Sequence, residues 1–240
     1  MNNFDNIPAP MYGPPPVFYD EKMIVDAENI IFDFGGVLMK HDMEGCQHAF
    51  RQFMSDEDIA NVLGLGNNKP DSLRSWLEEG NLGRKEFLNR VLKHSKSGTT
   101  ERQVIDAWNK IHAGIPEGTW MNLKLLRKKG FRTYLLSNTD EIHWQHTLSL
   151  FRGQIEQFFD DVFLSFKMHC SKPDERIFKE VDSAIGAAPG RTIFVDDTTA
   201  NREAAERYVG WETCWDMKSL LREIELKELA QEIVTQRIMP

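Results

Sequence analysis

Hydrophobic residues fall along this chain in two alternating rhythms. Continuous apolar runs at 29–33 (NIIFD), 132–137 (RTYLLS), 161–166 (DVFLSF) and 191–196 (RTIFVD) have the length and the β-branched or aromatic content of strands buried on both faces. A shorter run, WETCW at 211–215, predicts a fifth strand. Elsewhere the apolar positions recur at helical spacing, which predicts helices over 43–53, 55–63, 71–79, 83–94 and 100–112 with no strand among them. Breaks such as GLGNNKP (64–70) and EEGNLG (78–83) separate these helices. After them, helices over 117–129, 139–151, 173–185 and 199–208 alternate with the strands, the first closed by the stop signal KKG at 128–130. A C-terminal helix carries Leu226, Leu229, Ala230 and Ile233 on one face.

Strands alternating with helices imply parallel pairing through right-handed crossovers. The expected fold is therefore α/β: a Rossmann-like parallel sheet with helices on both faces, interrupted after its first strand by an inserted all-helical domain. The expected boundaries are an N-terminal arm at 1–27, an α/β core at 28–42 and 116–240, and the helical insert at 43–115. The arm holds five of the ten prolines and the aromatics Phe4, Tyr12, Phe18 and Tyr19, so it reads as an extended segment with something to dock.

Composition narrows the function. With 240 residues, 41% hydrophobic and 28% charged, the chain can bury a sizeable core. A net charge of −8 argues against nucleic acid or an anionic membrane as partner, since both need a cationic face. Cys46, Cys170 and Cys214 have no metal-like spacing and do not form a disulfide framework, which fits a reducing, cytoplasmic setting. No apolar run reaches the roughly 20 residues of a membrane span, and the N-terminus lacks the features of a signal peptide.

In an open parallel sheet, ligands bind beyond the carboxyl ends of the strands. The residues there are Asp33 after the first strand, Ser137, Asn138 and Thr139 after the second, Lys172 in the loop KMHCSKPD after the third, and Asp196 and Asp197 after the fourth. Taken singly, each has a plain structural explanation as a turn residue, an N-cap, a solvated lysine or a complement to a helix dipole. Together on one sheet edge they point to chemistry.

The ordered set FDFGGVL, LLSNT, SKPD and FVDDTTAN resembles the four motifs of the haloacid dehalogenase-like (HAD) hydrolases over roughly residues 28–215. The helical insert resembles the cap of the subgroup whose cap lies between motifs one and two. FDFGGVL and LLSNTDEIHW are similar to bacterial sugar-phosphate phosphatases, including those acting on α-glucose 1-phosphate. The resemblance implies a magnesium-dependent phosphatase acting on a small phosphate ester, as monomer or homodimer. Asp33 would be the nucleophile and form a phospho-aspartyl intermediate. Mg²⁺, a hard ion that prefers oxygen ligands, would be held by Asp33, the carbonyl of Gly35 and Asp196, with Asp197 in support. Lys172 would touch both phosphate and Asp33, and the Ser137 hydroxyl with backbone N–H groups near Asn138 would hold the remaining phosphate oxygens.

One position departs from the pattern of most phosphatases of the family. Two residues after the nucleophile, where they carry an acid/base aspartate, this chain has Gly35, as do the sugar-phosphate members it resembles. His41 or Asp42 would be the substitute, and an acidic leaving group such as an anomeric hydroxyl would lessen the need for one. Metal-independent dehalogenases also lack the second aspartate, but have no need of the acidic pair in VDDTTAN. A scaffold of the same fold without catalysis is the remaining alternative, against which Asp33, Lys172 and Asp196 all stand.

Weaker signals are read as structural. His143 and His146 share a helix face without a third ligand nearby, Trp76 is expected in the core of the cap, and GLGNNK neither follows a strand nor ends in the GK[ST] of a phosphate loop.

Overall fold

The computed structural model describes residues 27–65, 72–151, 153–186, 188 and 190–238, so the proline-rich arm lies almost wholly outside the described residues. Five parallel strands, β1 (Asn29–Phe32), β2 (Arg132–Ser137), β3 (Asp161–Leu164), β4 (Thr192–Val195) and β5 (Glu212–Cys214), are ordered β3-β2-β1-β4-β5. The apolar runs are continuous because both faces are covered. Ile30 and Phe32 point into a core shared with Leu135, Ile193 and Val195. Ile31 points the other way, to Tyr134, Leu136 and Phe194.

Helices α6 (Thr119–Lys128), α7 (Glu141–Leu150) and α11 (Met217–Ile238) close the first face through Leu123, Leu126, Trp144, Leu220 and Ile224. Helices α9 (Glu175–Ile185) and α10 (Thr199–Val209) close the second through Ile177, Phe178, Val181, Ala204 and Ala205. Leu226 and Leu229 of α11 face outward at 45% and 54% exposure. The side chains of Ala230 and Ile233, expected on the same face, lie outside the described residues.

Between β1 and α6 the chain makes α1 (Met43–Phe50), α2 (Asp56–Leu63), α3 (Leu73–Glu78), α4 (Arg84–Lys93) and α5 (Glu101–Trp108), then a 3-10 turn at Asn109–Ile111. This inserted cap has its own core, centred on Phe50, Phe87 and Trp108. Trp76 packs against that cluster, with the guanidinium of Arg90 over its ring. Its helices start where local chemistry directs. Ser55, Ser72 and Thr100 each accept a hydrogen bond from the backbone N–H three residues on, and Thr100 with Gln103 forms a full capping box. Two chain crossings join cap to core side by side. Lys40 N–H donates to the Gly114 carbonyl, Ala113 N–H to that of Lys40, and Asp42 N–H to that of Ile111.

The third strand is shorter than its apolar pattern. The chain leaves the sheet after Leu164 and forms a short helix α8 (Ser165–Met168). The cause is the Ser165 hydroxyl, which accepts from Thr139 N–H at 2.9 Å and lies 2.6 Å from the Glu78 carbonyl of the cap. These polar ties at the strand end compete with further pairing.

Candidate active site

Register builds the site. Phe32 pairs with Leu135 on one side and Val195 on the other, so the next residue of β1, Asp33, stands beside the ends of β2 and β4. Sheet order reverses at β1, and such a switch point opens a crevice at the strand ends.

Lys172 reaches into this crevice from the loop after α8. Its ammonium, 1% exposed, lies 2.9 Å from Asp33 Oδ1 and 2.7 Å from Asp196 Oδ2, and it donates to the Leu136 carbonyl at 2.9 Å. Burial opposes the charge on Lys172, but Asp33 and Asp196 overcome it and raise its pKa, so it stays cationic. The backbone of Lys172 is clamped by Asn138, whose amide accepts from Lys172 N–H and donates to its carbonyl, both at 2.9 Å. The Asn138 side chain thus positions Lys172, while Ser137 ends β2 at 4% exposure.

Asp196 is fully buried and saturated with donors. Besides Lys172, it accepts from Thr198 N–H at 2.8 Å and from the Asn201 amide at 3.0 and 3.1 Å, and Arg202 donates to its backbone carbonyl at 2.7 Å. Asn201 and Arg202 were not singled out from sequence, although Asn201 closes the fourth motif. Their spacing of five and six residues from Asp196 places them on the first turns of α10.

Asp33, Asp196 and Asp197 each present a carboxylate oxygen within 4.8 Å of the others. Three hard oxygen donors against one lysine form a donor set suited to a hard cation such as Mg²⁺. Without a cation, burial and then Asp196 push the pKa of Asp33 up to about 7, against the pull of Lys172. Gly36 makes room for Asp197. Its φ is +78°, and a Cβ there would lie 2.0 Å from Asp197 Oδ2.

The space beside Gly35 is taken by another side chain. A Cβ on Gly35 would lie 2.1 Å from both Cε1 and Nε2 of His41, so the imidazole stands where a side chain at 35 would project. The protein around His41 and then the charge of Arg74 lower its pKa, opposed by Asp197. Arg74, on cap helix α3, pairs with Glu78 at 2.7 Å. Asp42, the other expected substitute, is engaged elsewhere as the N-cap of α1, accepting from Gly45 N–H at 2.7 Å.

His143 lies in the junction between cap and core. Its Nδ1 is 2.7 Å from the fully buried Asp140, which also accepts from the indole N–H of Trp108 at 3.0 Å, and its ring stacks on Trp108. Asp140 was not singled out from sequence: locally it is the N-cap of α7, accepting from the N–H groups of Ile142 and His143, and only its tie to Trp108 comes from a distant segment.

The profile of the haloacid dehalogenase-like hydrolases matches residues 27–208. The D-ribitol-5-phosphate phosphatase of Bacteroides thetaiotaomicron is 27% identical over 191 residues, 78% of this chain and 90% of that protein. The glyceraldehyde 3-phosphate phosphatase of Pyrococcus furiosus is 28% identical over half of each chain. Among solved structures, an HAD family enzyme from B. thetaiotaomicron, crystallised with magnesium and inorganic phosphate, superposes with a TM-score of 0.69 at 29% identity, covering 78% of this chain and 93% of its own. No helix among the described residues is long and apolar enough to cross a membrane.

Proposed function

The chain belongs to the haloacid dehalogenase-like hydrolases, and from that membership we propose that it is a magnesium-dependent phosphatase of small phosphorylated metabolites, of the sugar or polyol phosphate class, working through a phospho-aspartyl intermediate on Asp33. The observation that carries this reading is the Lys172 ammonium seated between Asp33 and Asp196 with Asp197 alongside. A metal-independent dehalogenase has no use for that acidic cluster. The phosphate-ester activities of the relatives from B. thetaiotaomicron and P. furiosus support the substrate class.

In this reading Asp33, Asp196, Asp197 and the Gly35 carbonyl would hold Mg²⁺, which when bound would offset repulsion between carboxylate and phosphate and neutralise charge on the equatorial oxygens. Asp33 attacks phosphorus, and the bond to the ester oxygen breaks. Lys172 keeps Asp33 oriented and touches one phosphate oxygen, while the Ser137 hydroxyl and backbone N–H groups near Asn138 hold others. His41 replaces the missing aspartate. It takes up a proton as the phosphate dianion arrives and gives it to the leaving alkoxide. It then accepts a proton from water, whose oxygen bonds to phosphorus and frees Asp33 with inorganic phosphate. The cap covers the crevice, excluding bulk water from the first step.

The test is phosphate release from a panel of sugar and polyol phosphates, with and without Mg²⁺, by the wild type and Asp33→Asn. Mg²⁺-dependent turnover absent from the variant is expected. Turnover by Asp33→Asn, or none from the wild type on any ester, would overturn the reading.

A further inference from the structure

A cavity of about 690 Å³ lies between cap helix α5 and core helix α7, and none of the residues assigned to catalysis lines it. Lys110 and His112, on the second chain crossing, lie between its two walls.

Its lining has a definite chemistry. Arg84, Arg102 and Lys110 bring three cations to it, in a chain whose net charge is −8. The carboxylate among the lining residues, Asp106, is already engaged by Arg102 at 2.9 Å. Arg84 and Lys110 have no ion pair among the described residues. Two atoms of lining residues, Asn109 Oδ1 and His112 Nδ1, are buried without a hydrogen-bond partner. Buried polar atoms normally find one, and an unpaired one carries its desolvation cost in full. Burial and the neighbouring histidines push the pKa of His112 down to about 3, so its ring is neutral. Its Nδ1 is then a donor or an acceptor according to tautomer. A hydroxyl group satisfies either state, and pairs with the Asn109 amide in either orientation.

We propose that this cavity is a second ligand site, built for a small hydroxylated organic anion whose phosphate or carboxylate meets Arg84, Arg102 and Lys110 and whose hydroxyls meet Asn109 and His112. A molecule seated there ties α5 of the cap to α7 of the core. It also rests on His112, whose ring packs edge-on against Phe34, the residue after Asp33.

The test uses the full chain carrying ¹³C-labelled histidine, in EDTA. Without metal the catalytic cluster presents three carboxylates and one lysine, which disfavours an anion there. Two probes are titrated separately, gluconate for the carboxylate and 3,4-dihydroxybutylphosphonate, which a phosphatase cannot cleave, for the phosphate. Saturable shifts of the His112 and His146 ring signals with one probe or both are expected, larger than any change at His41, whose backbone pairs with that of His112. Arg84→Gln combined with Lys110→Gln should weaken binding roughly tenfold or more, the scale of charge-assisted contacts, whereas Lys172→Ala should leave it intact. No saturable shift at millimolar probe, unchanged affinity in the double variant, or loss in a Lys172→Ala variant whose circular dichroism matches that of wild type would each overturn the proposal. The readout is binding without metal, so the result stands whether or not the chain hydrolyses phosphate esters.

Discussion

The imidazole of His41 occupies the place of a side chain on Gly35, with Cε1 and Nε2 each 2.1 Å from where that residue's Cβ would be. The two positions are therefore alternatives. An aspartate at 35 would require His41 to move, and a glycine there admits a histidine from six residues along the chain.

Replacing His41 with alanine is expected to lower kcat by roughly 10²–10⁴-fold on alkyl phosphates, the usual worth of general acid–base catalysis. On p-nitrophenyl phosphate, whose leaving group needs no proton, the loss in the first step should largely vanish. Gly35→Asp alone should overpack the site, while Gly35→Asp in the His41→Ala background should recover activity. Steady-state kinetics of the three variants on both substrates would check this. Equal losses in kcat/KM, which reports only the steps up to release of the alcohol, would remove His41 from the first step, since the later attack of water is common to both substrates.

Gly36→Ala combines a left-handed φ of +78° with a Cβ 2.0 Å from Asp197 Oδ2. The backbone strain is worth about 1–2 kcal/mol. The larger expected effect is on the cation, because Asp197 must swing away. Magnesium affinity, measured by calorimetry, should fall well below that of wild type while the helical circular dichroism is unchanged.

The proposed role of Asp33 as a metal ligand links metal binding to pH. Its pKa is raised from 3.8 to about 7 in the metal-free protein. The folded state therefore holds a proton that the unfolded state gives up, and stability from this group falls as pH rises between those values. A bound cation reverses the penalty by favouring the carboxylate, and competes with the proton below about pH 7. Adding Mg²⁺ should raise Tm more at pH 8 than at pH 5.5, as read by thermal melting against EDTA controls. An equal rise at both would mean that Asp33 does not take part in holding the ion.

Asp140 is the buried tie between cap and core. Burial opposes its ionisation but His143 outweighs it, so its pKa lies below 3.8. Burial likewise opposes the charge on His143, and Asp140 raises that pKa above 6.5. The carboxylate's stabilisation is lost as pH falls through its lowered pKa, and the histidine's as pH rises through its raised one. Asp140→Ala, which leaves a buried imidazolium unpaired, should cost about 3–5 kcal/mol near pH 5. The difference from wild type should narrow as pH rises through the raised pKa of His143, and urea denaturation across a pH series would measure it.

How much was legible beforehand depended on the range of the interactions. Strand and helix positions followed from local periodicity, since the covering of both sheet faces writes itself into unbroken apolar runs such as Ile30–Phe32. The principal site residues were legible because each follows its own strand, and parallel strands share one carboxyl edge. Chain order alone thus grouped Asp33, Lys172 and Asp196 before any distance was known.

Tertiary structure decided everything that depends on two segments meeting. Sequence left His41 and Asp42 as equal candidates to stand in for the missing aspartate. Packing placed the His41 ring against Gly35 and turned Asp42 to cap α1. Asn138, readable as an N-cap or phosphate contact, became a clamp on Lys172 across 34 residues of chain. Asp140 gained its role from Trp108, 32 residues earlier, and the cavity beside His112 exists only where α5 meets α7. A residue's type and spacing determine what chemistry it can offer. Which partner receives that offer is a question of register and packing between segments far apart in the chain, and no local pattern encodes it.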